Sequence, residues 1–334
     1  MNIVFRVDAH VDIALGHLSR CLSLAQSLND LGCQVSFVVF NNKEAEKRLQ
    51  QGRFSFYLSP YKINESGDCE HFISICKDKK FDLMLVDSYS LDARFFEQVR
   101  KAAPFSAYID DLGQDYKTDI VINSSCRAVD LDYQAKMKIL GSDYIILDKS
   151  YWVEPIRDDK KPESMLITFG GIDHYDLSSR LLPIIEKIDT NIKVNMVIGP
   201  YYENRDNIVA AVSRSKLEVK IIEGLDNLYP VVRKSDVAVT AGGVTAYELA
   251  ASATPCLGIA VWGCQNDNID FLSSKNTLIP LYYSKSAEFE IQLAASVELL
   301  LDDIALRETM SREDRRLIGG KGAYKNRRNN LRTI

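Results

Sequence analysis

The chain has 334 residues, of which 46% are apolar and 26% charged, with a formal net charge of −5. That balance suits a globular protein of two domains with cores of their own, and it excludes the global basic field that recruits nucleic acid or an anionic membrane. Seven cysteines without C-x-x-C spacing point to reduced thiols, no apolar run reaches the length of a membrane span, and Arg6 and Asp8 interrupt the first apolar run, so a cytoplasmic location without a signal peptide is expected.

The first half alternates apolar runs of strand length with amphipathic stretches of helical length. Strands are predicted at residues 3–7, 34–39, 54–58, 83–87, 105–109, 120–122 and 144–147, and helices at 18–31, 43–50, 71–79 and 91–101. The polar, proline-bracketed stretch 154–162 reads as a linker between an N-terminal domain (1–153) and a C-terminal domain (163–334). A second series then sets strands at 164–168, 193–198, 219–222, 237–240 and 256–259, with helices at 177–188, 204–213, 225–234, 245–253 and 266–272. A closing helix at 286–301 leads into a polar segment whose Lys321, Lys325, Arg327, Arg328 and Arg332 read as a solvated basic tail. Near-continuous apolar strands alternating with helices predict two α/β domains, each a doubly wound parallel sheet. Both would present the carboxyl ends of their strands to a central cleft, where ligands bind in such sheets.

The first strand feeds Gly16-His17-Leu18-Ser19-Arg20-Cys21 through a short loop. Glycine at such a turn lets backbone approach a ligand, and the first N–H groups of the following helix point at it with the positive end of the dipole behind them. A histidine in that first turn suits a general base on water or a hydroxyl, or a neutral donor to a phosphate oxygen. The alternative is a histidine held by local hydrogen bonds and inert. Arg20 and Cys21 share its helix face: Arg20 could hold a phosphate or pair with Asp8, and Cys21 reads as packing rather than as a nucleophile. A metal on His17 and Cys21 would also need Asp8, His10 or Asp12, so no metal is expected. Asp87, Ser88 and Tyr89 end one predicted strand and Asp110 and Asp111 another, all facing the same crevice. Paired aspartates suit Mg²⁺ or a base, although Asp111 could serve only as a cap. His10 and His174 are secondary candidates in polar loops, and His71 reads as structural.

In the second domain Gly170-Gly171-Ile172-Asp173 and Gly242-Gly243-Val244-Thr245 each follow a strand and precede a helix. Together they suggest a diphosphate site. Neither fits the P-loop or G-x-G-x-x-G pattern, which counts against ATP hydrolysis or a dinucleotide, so no cofactor is expected. Glu248 either completes a capping box with Thr245 as the cap or accepts from vicinal ribose hydroxyls. Gln265 and Asn266 either read sugar hydroxyls or cap the next helix.

Together these residues resemble the UDP-2,4-diacetamido-2,4,6-trideoxy-β-L-altropyranose hydrolases of pseudaminic acid biosynthesis. That family is similar in turn to the lipid II-forming N-acetylglucosaminyl transferase of peptidoglycan synthesis. The resemblance covers most of the chain and rests above all on Arg6-x-Asp8 followed by Gly16-His17-x-x-Arg20-Cys21. Further matches are Val86-Asp87-Ser88-Tyr89, Ile109-Asp110-Asp111-Leu112, Asn123, Leu140-Gly141, Phe169-Gly170-Gly171-x-Asp173, Ala241-x-Gly243, Glu248, Gln265 and Gly319-Gly320-Lys321-Gly322-Ala323. It implies the GT-B fold of two Rossmann-like domains and a UDP-sugar ligand. The implied reaction is attack of water on the anomeric carbon with UDP leaving, without a metal. His17 is then the catalytic base, with Tyr89 and Asp87 at the reacting centre and Gly16 and Arg20 beside it. The UDP would rest on Gly170, Gly171, Asp173, Gly242, Gly243, Val244, Thr245 and Gln265, with Glu248 on the ribose. Asp148, Val244 and Cys264 depart from the family pattern, which has arginine, serine and asparagine there. Two alternatives stay open: a UDP-sugar-dependent glycosyltransferase, in which His17 deprotonates an acceptor hydroxyl, and a non-catalytic UDP-sugar-binding homologue.

Overall fold

The computed structural model describes residues 1–9, 16–90, 92–100, 103–153 and 161–318, with Cys264 described by its backbone alone. His10, Asp12, most of the expected linker, the glycine-rich motif at 319–323 and the basic tail lie outside the described residues. The chain divides into two units, with the boundary after Lys149.

The N-terminal unit runs β1 (Asn2–Val7), α1 (Gly16–Asp30), β2 (Gln34–Phe40), α2 (Lys43–Gln51), β3 (Ser55–Ser59), α3 (Asp68–Lys79), β4 (Leu83–Asp87), α4 (Ala93–Val99), β5 (Phe105–Ile109), β6 (Ile120–Asn123) and β7 (Met137–Leu140). All pairings are parallel, in the order β3-β2-β1-β4-β5-β6-β7. The strand order reverses between β1 and β4, which sets Val7 opposite Asp87 at their carboxyl ends. One face packs Val4, Met84, Val86 and Tyr108 against Phe72, Phe95 and Phe96. Arg6, fully buried on β1, donates to Asp68 at 2.6 Å and to the carbonyls of Val38 and Tyr61. It ties β1 to α3 and its loop, so this motif residue is structural, and losing either partner would cost about 3–5 kcal/mol.

The expected strand at 144–147 does not form. Gly141 turns the chain at φ 103°, and the Tyr144 N–H donates back to the Gly141 carbonyl, so a 3₁₀ turn follows β7 instead.

The C-terminal unit runs β8 (Ser164–Thr168), α5 (Leu177–Ile188), β9 (Lys193–Val197), α6 (Arg205–Arg214), β10 (Val219–Ile222), α7 (Tyr229–Val232), β11 (Val237–Ala241), α8 (Val244–Ala251), β12 (Cys256–Ala260), α9 (Asn266–Ser274), β13 (Ile279–Tyr282), α10 (Ala287–Asp302) and α11 (Ile304–Leu317). Its sheet is again wholly parallel, β10-β9-β8-β11-β12-β13, and reverses between β8 and β11. Met165, Ile167, Val237, Val239, Leu257 and Ile259 pack one face against α5 and α10. The helix expected at 225–234 is the short α7, which begins with a proline in its first turn. In α11, Arg307 donates to the carbonyls of Leu300 and Leu301, two of the acceptors that the end of α10 leaves open. No helix among the described residues is long and apolar enough to cross a membrane.

Candidate functional site

In the N-terminal unit the reversal of strand order opens a crevice beyond the carboxyl ends of β1 and β4. Asp87 is the last residue of β4 and fully buried, and His17 lies in the first turn of α1, 5% exposed. His17 Nδ1 is 2.6 Å from Asp87 Oδ1. Arg20 Nη2 also lies 3.1 Å from Nδ1, but the shorter contact is to an ionised carboxylate, which only accepts, so Nδ1 carries a proton toward Asp87 and in the neutral ring Nε2 holds the lone pair. Three residues on, Arg20 donates through Nε and Nη2 to Asp87 at 2.7 and 2.6 Å, and through Nη1 to Asp111 at 2.9 Å. The guanidinium thus bridges two carboxylates from adjacent strand ends. It pairs with Asp87 and Asp111 rather than with Asp8, which corrects that part of the expectation for Arg20. Asp8 instead accepts from Ser88 Oγ.

Burial penalises the Asp87 carboxylate, yet Arg20 and then His17 outweigh it and hold the group well below the usual carboxylate range. Burial and then Asp87 push the Cys21 thiol far above its ordinary value while its Sγ donates to Asp87 Oδ2 at 3.3 Å, so Cys21 is a neutral donor and no nucleophile. Tyr89, half exposed, lies edge-to-face on the His17 ring at 4.3 Å. Burial and the Asp111 carboxylate raise its phenol well above its ordinary value, so it is a hydrogen-bond donor, not a base. A Cβ on Gly16 would meet no atom within 4 Å among the described residues.

Asp110 corrects a second expectation. Its carboxylate accepts from the N–H groups of Leu112, Gly113 and Gln114, from Asn123 Nδ2 and from the Tyr133 hydroxyl. It builds the turn after β5, a structural role, while Asp111 belongs to Arg20 rather than to a cap. Among the described residues no group of three or more His, Cys, Asp or Glu side chains could hold a metal ion.

In the C-terminal unit the Gly170-Gly171 turn leaves β8 with Gly170 at φ +76°. Gly199, after β9, lies so close that a Cβ there would overlap the Gly170 and Gly171 carbonyl oxygens, and the Tyr201 N–H donates to the Gly171 carbonyl. The sequence reading missed Gly199; its signal is only that a glycine follows a strand. Asp173 accepts from the N–H groups of Leu177 and Ser178 at 3.0 and 2.8 Å, so it starts α5 and shapes the turn rather than meeting an anion directly. The N–H of Gly242 donates to the Ile259 carbonyl at 2.9 Å, and a Cβ on Gly242 would fall 2.7 Å from Ile269 and 3.1 Å from Gln265 Cβ. Gly242 is therefore glycine for close packing, and its N–H is not available to a phosphate. The cap of α8 is Gly243, not Thr245, and no side chain caps it, so the capping box does not form. Val244 and Thr245 open α8, and Glu248 lies one turn further, half buried. Gln265 Oε1 accepts from the Val261 N–H at 3.0 Å. The turns after β8 and β11 stand at this sheet's own reversal point.

No family model matches the chain. In sequence it is similar to the spore coat polysaccharide biosynthesis protein SpsG of Bacillus subtilis, 22% identical over 96% of this chain and 95% of that protein. The UDP-2,4-diacetamido-2,4,6-trideoxy-β-L-altropyranose hydrolase of Campylobacter jejuni is a distant homologue, 24% identical over 56% of this chain and 66% of its own length. The uncharacterized protein MJ1062 of Methanocaldococcus jannaschii is 23% identical over 74% of this chain, which spans about half, 53%, of that relative. Among solved structures, MurG of Acinetobacter baumannii matches with a TM-score of 0.66 and 13% identity over 96% of this chain and 95% of that one. The kitacinnamycin glycotransferase matches with a TM-score of 0.70 and 14% identity over 100% and 99%. The fold is that of the GT-B glycosyltransferases.

Proposed function

We propose that the chain is a nucleotide-sugar hydrolase of surface polysaccharide or nonulosonic acid biosynthesis, releasing UDP from a UDP-linked 2,4-diacetamido-trideoxy hexose. The observation that carries this reading is the buried His17–Asp87 pair at the carboxyl edge of the first sheet, with its proton on Nδ1. Water gives a proton to His17 Nε2 as its oxygen bonds to the anomeric carbon. The bond from that carbon to the β-phosphate oxygen breaks, and its electron pair leaves with UDP. Asp87 orients the imidazole and stabilises the imidazolium that forms. Arg20 and Asp111 hold Asp87 in place, and the Tyr89 phenol offers a hydrogen bond beside His17. In the C-terminal unit the Gly170-Gly171 turn and the start of α8 would receive the diphosphate on backbone N–H groups, with Glu248 on the ribose. The distant similarity to the C. jejuni hydrolase supports the water reaction.

A second reading is a UDP-sugar-dependent glycosyltransferase, in which the same Nε2 takes its proton from an acceptor hydroxyl. It is favoured by the glycosyltransferase folds that match nearly the whole chain. UDP release from UDP-2-acetamido sugars in ¹⁸O-labelled water, with and without acceptor mixtures, separates the two. Label on the anomeric oxygen of the free sugar, lost in His17→Ala while UDP still binds, is the expected result. Release only with acceptor moves the chain to the transferases, and normal turnover by His17→Ala refutes the mechanism.

A further inference from the structure

Trp262 leaves the carboxyl end of β12 with 46% of its surface exposed, yet it is held in place. The His174 ring, from the turn after β8, meets it edge-to-face at 5.0 Å and 90°. Tyr175 lies 6.1 Å from it and is itself stacked on Tyr283 at 3.8 Å. These contacts join the loop after β8 to the loop after β12, and in the sheet β11 lies between those two strands. The rings therefore belong to the edge of the sheet where the Gly170-Gly171 turn and the start of α8 also lie. The segment that carries Trp262 runs through Gln265 into the first turn of α9, Asn266-Asp267, so an aromatic surface and amide and carboxylate residues come from one short stretch of chain. An exposed aromatic face with amide and carboxylate residues close by in the chain is chemistry that suits a pyranose. The sugar ring turns its C–H bonds to the negative face of the indole and its hydroxyls to the polar neighbours. A base edge would use only one or two of those groups.

We propose that Trp262, braced by His174 and Tyr175, is the stacking surface for the sugar ring of the nucleotide sugar, and that it sets preference among sugars rather than affinity for UDP. This rests on the reading that the C-terminal unit binds a UDP-sugar. The residue would lie in the donor's sugar subsite, contacting the ligand while taking no part in proton transfer.

Calorimetric titration of the full chain tests it, with UDP and with whichever member of a panel of UDP-2-acetamido sugars, UDP-N-acetylglucosamine included, the wild type binds best. In Trp262→Ala the affinity for that UDP-sugar should fall roughly tenfold while UDP binding changes less than about twofold, and Trp262→Phe should keep most of the affinity. The UDP-sugar, but not UDP, should also change the part of the tryptophan fluorescence that Trp262→Phe removes. Equal losses for UDP and the UDP-sugar overturn the proposal, because they move Trp262 to the base or the diphosphate. Unchanged UDP-sugar binding in a folded Trp262→Ala also overturns it. A wild-type chain that binds neither UDP nor any UDP-sugar instead refutes the functional reading on which the proposal depends.

Discussion

Asp87→Asn separates a catalytic pair from a merely buried one. The carboxylate accepts from His17 Nδ1 at 2.6 Å, from Arg20 at 2.7 and 2.6 Å and from Cys21 at 3.3 Å, and it is fully buried. An amide that keeps its oxygen at the Oδ2 position, for Arg20 Nε and the Cys21 thiol, turns an N–H₂ toward His17 at the Oδ1 position. Nδ1 must become the acceptor and the ring proton moves to Nε2, the atom that should receive a proton from water. A misdirected tautomer of this kind costs about 10³–10⁴ in kcat in histidine–aspartate systems, or about 4–5.5 kcal/mol of barrier. Removing one member of a buried charge pair costs about 3–5 kcal/mol of stability, which a total of roughly 5–15 kcal/mol survives. The variant should therefore fold with a lowered Tm, bind UDP as the wild type does and release it at least 10³ times more slowly. Single-turnover UDP release, with calorimetric UDP binding as the control for folding, measures both. Release within tenfold of wild type in a folded variant would refute the role assigned to the pair. The same substitution changes acid stability. Asp87 is held below the usual carboxylate range, so it binds fewer protons folded than unfolded. Its contribution is complete above the unfolded value near pH 4 and is lost as pH falls through the folded one. Acid unfolding of Asp87→Asn, followed by circular dichroism, should lack that component.

Three other perturbations follow from the geometry. Gly199→Ala must displace the Gly170-Gly171 backbone, a strain of about 1–3 kcal/mol, and should weaken UDP binding at least about tenfold in calorimetry while kcat at saturation is kept; wild-type affinity would detach that turn from the diphosphate. Tyr89→Phe keeps the ring against His17 but removes the phenolic donor, so kcat should fall roughly tenfold with UDP affinity unchanged, as the loss of one hydrogen bond predicts. Gly242→Ala forces its Cβ against Ile269 and should lower stability by about 1–3 kcal/mol; adding Ile269→Ala should cost less than its effect in the wild type, and strict additivity in urea denaturation would contradict the contact.

The sequence showed most strands because central parallel strands are buried on both faces and read as unbroken apolar runs, as at Leu83–Asp87. It hid one edge strand of each sheet. Met137–Leu140 is flanked and interrupted by lysines, and Ile279–Tyr282 contains Pro280, which an edge strand tolerates. Ile304–Leu317 was invisible for a different reason. Its buried face is Arg307, Met310, Ser311 and Asp314, so the helical spacing is there but the apolar signal is not. At the site, His17, Asp87 and Asp111 could be gathered in advance, because each stands just beyond or at the carboxyl end of a strand. What each of them bonds could not be gathered. Arg20 reaches carboxylates 67 and 91 residues away, and no local pattern chooses Asp87 and Asp111 over Asp8.

Among the described residues, the hydrogen-bond inventory narrows the groups at this edge that the proposed mechanism can use as a base. Asp110 is spent on its own turn, Asp8 accepts from Ser88, and Asp87 and Asp111 are held by Arg20. The Cys21 thiol and the Tyr89 phenol are both pushed toward their protonated forms. Each of these fixes geometry or donates, and none is poised to take a proton. In the proposed mechanism the base is the lone pair of His17 Nε2, with the ring proton at Nδ1 toward Asp87. Hydrolysis and glycosyl transfer need the same atom in the same state. They differ in whether the hydroxyl that reaches it belongs to water or to an acceptor, so the choice between them lies with what binds beside the pair and not with the pair itself.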